Sequence, residues 1–341
     1  MNQFEGGPFQ ARLEKLNQQK DFLNRLNQIV PWEEFRPLLE RIRDKPRSSR
    51  AGRKPYDSIL MFKCLILQQL HNISDEELEY QLNDRLSWMQ FLGLGLEDSI
   101  PERTSIWLFK QALSKNQLIE ELFEKFEGYL QGVGYQAKGG QMVDATMIPV
   151  PIQHNSPEEN EEIKQGKVPE AWESKKYKLS QKDLEARWTK KGGKSYYGYK
   201  NHISSDVEYG FIRRYTVTDA SVHDSQVLGK LLDDNNTEAS LWGDSAYRSE
   251  NIEEVLNLLN FESQIHERGY RNNPLTEEQK ERNREKSKIR AKVEHVFASL
   301  SQMGGKLVRS IGLERVSLHI GLKNLTYNFQ RLVFFESQSA V

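Results

Sequence analysis

Hydrophobic positions follow a helical period through about the first 135 residues and then change to short apolar runs bounded by turn residues. The first part opens with two short helical patterns, the second being "VPWEEFRPLLERI". "DKPRSSRAGRKP" then breaks the pattern with prolines, serines and glycine and reads as a basic linker. "YDSILMFKCLILQQLHN" is almost wholly apolar, which predicts a buried helix. "ISDEELEYQLND" opens with Ser74 and, three residues on, Glu77, the signature of a capping box. "DRLSWMQFLGL" predicts a short helix stopped by glycines, and "IPERTSIWLFKQALSK" a further one capped by Thr104 or Ser105. Such a run of helices with short turns, the last bearing Arg103 and Lys110, is compatible with a helix-turn-helix unit, although a plain helical bundle is the simpler reading. One more helix, "LIEELFEKFEGYLQGVG", closes this part.

From Gly140 the predicted order changes. "GQMVDATMIPV" reads as a strand; residues 151–195 are polar, proline-containing and weakly periodic, and read as a long loop or insertion. "KSYYGYKNHISSD" and "GFIRRYTVTDASV" form a hairpin across "DVEYG". Then come helix "HDSQVLGKLLDD", strand "ASLWGDSAY", helix "SENIEEVLNLLN" capped by Ser249, strand "FESQIHER" and a long charged helix. An antiparallel start followed by alternating helices and strands predicts an α/β domain with a mixed sheet covered by helices, the element order of a ribonuclease-H-like domain. The expected division is an N-terminal helical and basic arm (1–52), a helical, helix-turn-helix-like region that would bind DNA (53–135) and a ribonuclease-H-like domain that would carry any catalytic site (136–341).

Composition narrows the class. The chain has 341 residues, 37% hydrophobic and 28% charged, which fits a soluble globular protein with at least one sizeable core. No apolar run is long enough for a membrane span, and the polar start "MNQFEGGPFQARLEK" predicts no secretion signal. Cys64 is the one cysteine, so an internal disulfide and a multi-cysteine zinc site are excluded and a reducing, intracellular setting is expected. Net charge is −1, yet "RIRDKPRSSRAGRKP", "ARWTKKGGKSYYGYKNH" and "ERNREKSKIRAK" are basic and "SPEENEEI" is acidic. That segregation suits phosphate contact at chosen places.

Three acids stand where chemistry can form. Asp144 interrupts an apolar strand, where a charge is costly unless paired or bound to metal. Asp244 ends another apolar run, and strand ends are where sites of open α/β sheets form. Glu294 flanks the stripe Ile289, Val293, Val296, Phe297 and Leu300 of the long helix, with Arg290 one turn before it. Each has a plain alternative: a cap for the aspartates, a solvated surface charge for the glutamate. Together they form a hard-oxygen set suited to Mg²⁺ or Mn²⁺. Two such ions can clamp a phosphodiester.

"VDAT", "KGGKSYYGYKNHI", "VTDASVHDS", "GDSAY" and "RAKVEHVF", in that order, resemble the insertion-sequence DDE transposases, closest to the insertion-sequence-five group. "GRKPYDSILMFKCLIL" and "IPERTSIWLFKQAL" resemble that group's N-terminal helical region, so the likeness spans roughly Arg53 to Phe335. The resemblance implies a catalytic and metal-binding triad of Asp144, Asp244 and Glu294. It implies Mg²⁺ or Mn²⁺, as two ions, double-stranded DNA as partner and at least a dimer when two ends are brought together. It also implies a cytoplasmic, nucleoid-associated prokaryotic protein. The implied reaction is hydrolysis at the element's ends and attack of the freed 3′-hydroxyl on target DNA. A nuclease of the same fold that does not join strands, or a domesticated DNA-binding regulator, is the alternative. The spacing of 50 from Asp244 to Glu294 leaves no room for a large insertion domain.

The wider signature of related families is Tyr, two residues, Arg, three residues, Glu, six residues, Lys. Arg290 and Glu294 fit it, whereas Ser287 and Ser301 replace the tyrosine and lysine. Lys306 or Arg309 would then supply the missing phosphate contact. Further candidate DNA contacts are Arg290, Lys200 and His202 on one strand face, His223 beside Asp224, and Arg103, Lys110, Arg53 and Lys54 upstream. For Tyr196, Tyr197 and Tyr199, base stacking competes with ordinary sheet packing.

Overall fold

The computed structural model describes residues 15, 21–43, 54–150, 155–173, 175–270, 273–305 and 308–339. Arg53, Lys306 and most of the basic linker lie outside them. The helices begin with α1 (Phe22–Ile29), α2 (Arg36–Glu40), α3 (Ser58–His71), α4 (Asp75–Asp84), α5 (Leu86–Leu92), α6 (Arg103–Lys115) and α7 (Leu118–Gly132). Next are α8 (Pro157–Lys164), α9 (Glu170–Glu173), α10 (Lys176–Leu179), α11 (Leu228–Leu231), α12 (Glu250–Leu258), α13 (Glu277–Gln302) and α14 (Leu313–Ser339). The strands are β1 (Gln141–Pro149), β2 (Arg187–Lys191), β3 (Lys194–Asp206), β4 (Ile212–Asp219), β5 (Ser240–Trp242) and β6 (Glu262–Ser263). The chain forms two compact units, one of residues 1–125 with 322–341 and one of residues 126–321.

In the first unit α3 is the buried helix its composition predicts, with Phe62, Cys64, Leu65, Ile66 and Leu67 at zero exposure. Asp57 caps it by accepting from Ile59 and Leu60 N–H at 2.9 and 3.1 Å, worth about 1 kcal/mol. Trp32 meets Phe62, Phe91 and Phe329 edge-on, with ring centroids 5.5–6.1 Å apart. Burial raises the thiol pKa of Cys64, consistent with an inert core residue.

Two expectations for this unit need correction. Ser74 caps α4 by accepting from Glu77 N–H, but the capping box is only half made, the Glu77 carboxylate accepting from Gln81 Nε2 at 2.6 Å. The cap of α6, however, is Glu102, ahead of Thr104 and Ser105, and it makes no side-chain cap bond. Instead Glu79 of α4 accepts from Arg103 N–H at 2.8 Å, so a neighbouring helix satisfies the orphan donor. Arg103 and Lys110, the candidate DNA contacts of this unit, form ion pairs with Glu76 and Asp75 of the same helix, and Arg103 stays 62% exposed.

In the second unit the sheet order is β2-β3-β1-β5-β6, with β4 also on β3. β1 runs antiparallel to β3 and parallel to β5, and β5 parallel to β6. This is the mixed, ribonuclease-H-like arrangement that the element order predicts. Val143 joins a core of Leu228, Leu231, Leu241, Tyr247 and Leu256 on one face. Ile148 and Tyr199 join Val316 and Ile320 of α14 in a separate core.

Residues 151–195 are not a long loop. Their described part holds α8, α9, α10 and β2, and β2 pairs antiparallel with β3. Short polar helices leave little periodicity, and what orders them is buried polar chemistry. Asp183 is 2% exposed and accepts from Tyr199 Oη at 2.7 and 2.8 Å and from Gly312 N–H at 3.2 Å. Asn155 donates to Tyr197 Oη at 2.6 Å. Tyr197 and Tyr199 are thus buried framework side chains, and burial raises both phenols' pKa. The helix expected over "HDSQVLGKLLDD" is only a 3₁₀ turn, Asp224–Val227, and α11. It stops because Leu232 turns extended and Asp233 N–H bonds Gln141 Oε1 at 3.1 Å instead.

Candidate active site

Parallel pairing brings the two aspartates together. Met142 of β1 is paired with Trp242 of β5, and each aspartate lies two residues further along its chain, at the carboxyl ends of neighbouring strands. Asp144 is only 13% exposed. Its Oδ1 accepts from Ala145 N–H at 2.7 Å, and its Oδ2 accepts from Arg290 Nη1 at 3.0 Å. Burial pushes its carboxyl up to about 6; Asp244 adds to the rise, while Ala145 N–H, Arg290 and Lys191 oppose it. Asp244 does cap the turn Ser245–Tyr247, accepting from Ala246 N–H at 2.8 Å. The cap and a place at the site are compatible, because that bond engages one carboxylate oxygen.

Glu294 arrives from α13, which packs on β1 and β5 through Val293, Val296 and Leu300. Its carboxylate is 67% exposed and lies 3.7 Å from Arg290 Nη2. Arg290 thereby touches both Asp144 and Glu294, and its Nε is buried without a partner among the described residues. Ser287, in the place of the signature tyrosine, contacts His266 Nε2 at 3.2 Å. His266 carries no motif that singles it out in the sequence. Burial and then Arg290 lower its pKa, while Asp244 opposes. Ser301 and Arg309 are exposed.

Lys200 and His202 do not point at this site. The β1–β3 register pairs Asp144 with Ile203, so Lys200 and His202, paired with Met147 and Ala145, fall on the opposite face. They are 6% and 0% exposed. The Lys200 ammonium donates to Val222 O at 2.7 Å and Asp224 Oδ1 at 2.8 Å, and His202 Nε2 meets Thr218 Oγ1 at 2.9 Å. Burial depresses His202 to about 4, keeping it neutral near pH 7. Lys200 pins the loop before Asp224, and His202 ties β3 to β4. His223 is exposed and caps that turn through Ser225 N–H. Lys54 is exposed.

The donor set fits a hard divalent cation in its chemistry. Asp144 and Asp244 are carboxylates on adjacent strand ends. Tyr247, fully buried on the turn that Asp244 caps, has a hydroxyl with no partner among the described residues. Burial and the charges of Asp224, Asp144 and Asp244 raise that phenol's pKa. Among the described residues no three acids or histidines gather tightly enough to hold an ion as they stand, and Arg290 neutralises Asp144 instead.

Comparison with known families decides the identity. The model of the transposase DDE domain matches residues 136–329, and that of a second transposase domain (DUF772) matches residues 11–112. The chain belongs to the DDE transposase family. Among solved structures, this transposase is similar to the piggyBac transposase in a cryo-EM synaptic complex with hairpin DNA, at 12% identity and a TM-score of 0.47. That alignment covers 94% of this chain and 74% of the other. Among the described residues of the transposase, no helix is long and apolar enough to cross a membrane.

Proposed function

We propose that this transposase binds double-stranded DNA at the ends of its element, hydrolyses a phosphodiester there, and joins the freed 3′-hydroxyl to target DNA. The observation that carries this reading is the convergence of Asp144 and Asp244 at parallel strand ends, under a helix whose Arg290 bonds Asp144 and reaches Glu294. Mg²⁺ or Mn²⁺, held by Asp144, Asp244 and Glu294, would supply Lewis acidity and charge neutralisation at the phosphodiester. The protein's own groups do the rest. Ala145 N–H and Ala246 N–H each fix one oxygen of an aspartate, and Arg290 holds the second oxygen of Asp144. Arg290 offers a planar fork whose geometry matches phosphate oxygens once it leaves Asp144. Lys200 holds the Val222–Asp224 loop against β3 from behind. Two ends must be cut in concert, so the reacting form holds at least two copies.

The test incubates purified protein with a labelled end fragment and Mn²⁺ and resolves nicked from joined products. Both are expected. Nicking without joining would leave a nuclease, and neither product would overturn the reading.

A further inference from the structure

The tip of the β2–β3 hairpin carries positive charge that the described structure leaves uncompensated. Lys190, Lys191 and Lys194 surround Gly192 and Gly193, and all five residues are exposed. Across the ladder Lys191 is paired with Lys194, and Lys190 with Ser195. Like charges directly opposite one another destabilise a strand pair, so this tip is built at a cost that an anion would relieve. None of the three ammonium groups has an ion-pair partner among the described residues. Basic residues nearer the base of the same segment are engaged. Lys178 and Lys182 pair with Glu159, and Arg187 donates to Leu184 O and Ala186 O.

The turn is open to close approach. Gly192 and Gly193 have φ of +57° and +77°, the conformation of a tight hairpin turn, and a Cβ built on either meets nothing within 4 Å. The tip extends the sheet that bears Asp144, because β3, one arm of the hairpin, pairs along β1.

We propose that the tip formed by Lys190, Lys191, Gly192, Gly193 and Lys194 is a phosphate clamp that holds the backbone of the DNA bound by this domain. The clamp rests on the DNA-processing reading above and names residues for it that the triad does not include. The lysines grip phosphate oxygens as mobile point charges, and the glycines let the sugar-phosphate chain lie against the turn. Such contacts carry no sequence information. They set where the strand lies.

The test uses the full chain with all three lysines replaced, Lys190→Ser, Lys191→Ser and Lys194→Ser, and a fluorescent duplex end fragment without divalent metal. Affinity is measured by anisotropy across a salt series. Every phosphate that a lysine no longer neutralises lowers the slope of log affinity against log salt by about 0.9, so a fall of about 2 to 3 is expected. A control with Lys138→Ser, Lys167→Ser and Lys230→Ser changes net charge equally and should keep the wild-type slope. Thermal unfolding verifies that the tip variant folds, and Lys191→Gln alone, expected to lower the slope by about 1, provides the same reading from a milder change. A change of less than about half a slope unit in both hairpin variants, or an equal fall in the control, overturns the clamp. Wild-type protein that binds no DNA would instead overturn the functional reading on which the clamp depends.

Discussion

Arg290 binds Asp144 across 146 residues of sequence, with Nη1 3.0 Å from Oδ2. The same guanidinium lies 3.7 Å from Glu294, one turn further along α13. One cation therefore ties a strand-end carboxylate to the helix acid and keeps the buried Asp144 from standing unpaired. Truncating a partner of a buried ion pair is costly because it strands the other charge. Arg290→Ala should therefore destabilise the protein by about 1–3 kcal/mol at pH 8. The loss should be smaller at pH 5, where Asp144 takes up a proton. Urea unfolding at both pH values checks this, and equal losses would count against the pairing.

Asp144 also gives a signed pH dependence. Its folded pKa, raised by burial to about 6, exceeds its ordinary value of 3.8. Its contribution to stability is therefore fully present below about pH 4 and is lost as pH rises through 6. The displacement corresponds to at most about 3 kcal/mol. Asp144→Asn, which cannot ionise, should gain stability relative to wild type between pH 4 and 7, with the difference level above that. Melting temperatures over that range would show it. A pH-independent difference would mean that the carboxyl titrates normally.

Asp183 anchors the segment between β1 and β3. Besides Tyr199 and Gly312 it accepts from Glu185 and Ala186 N–H at 3.0 and 3.1 Å. Asp183→Ala leaves these donors without an acceptor and should cost about 3 kcal/mol or more. Hydrogen exchange of residues 155–190 should accelerate with it. Unchanged exchange there would show that the segment is ordered by other contacts.

Arg213 is 1% exposed and bonds Asp206 at 2.8 Å, Glu127 at 2.9 Å and Tyr135 O at 2.9 Å. Burial raises the pKa of both carboxyls, and Arg213 opposes the rise. Arg213→Met should cost about 3–5 kcal/mol, and adding Glu127→Gln should return part of it. A double variant as unstable as the simple sum of both losses would contradict the coupling.

All strands but β2 are legible in the sequence because they are apolar runs with turn signals, and Asp144 and Asp244 stand out as charges within them. The stripe on α13 locates Glu294 because packing that stripe sets the direction of the flank beside it. Other features depend on partners that no local pattern names. The face taken by Lys200 and His202 follows from the β1–β3 register, and the ion pairs of Arg103 and Lys110 from how α4 lies beside α6. Residues 155–195 have little pattern because α8, α9 and α10 are short and polar and are held by Asp183, Asn155 and the tyrosines. His266 and Tyr247 give no signal of their own; only folding sets them beside the acids.

The central claim is that Asp144, Asp244 and Glu294 serve one cleavage site. Its most direct test compares Asp144→Asn, Asp244→Asn and Glu294→Gln with wild type on a labelled end fragment in Mg²⁺, measuring binding and single-turnover cleavage together. Each variant should bind the fragment as wild type does and cleave it about a hundredfold more slowly or worse. Cleavage at the wild-type rate by any of the three would remove that residue from the site.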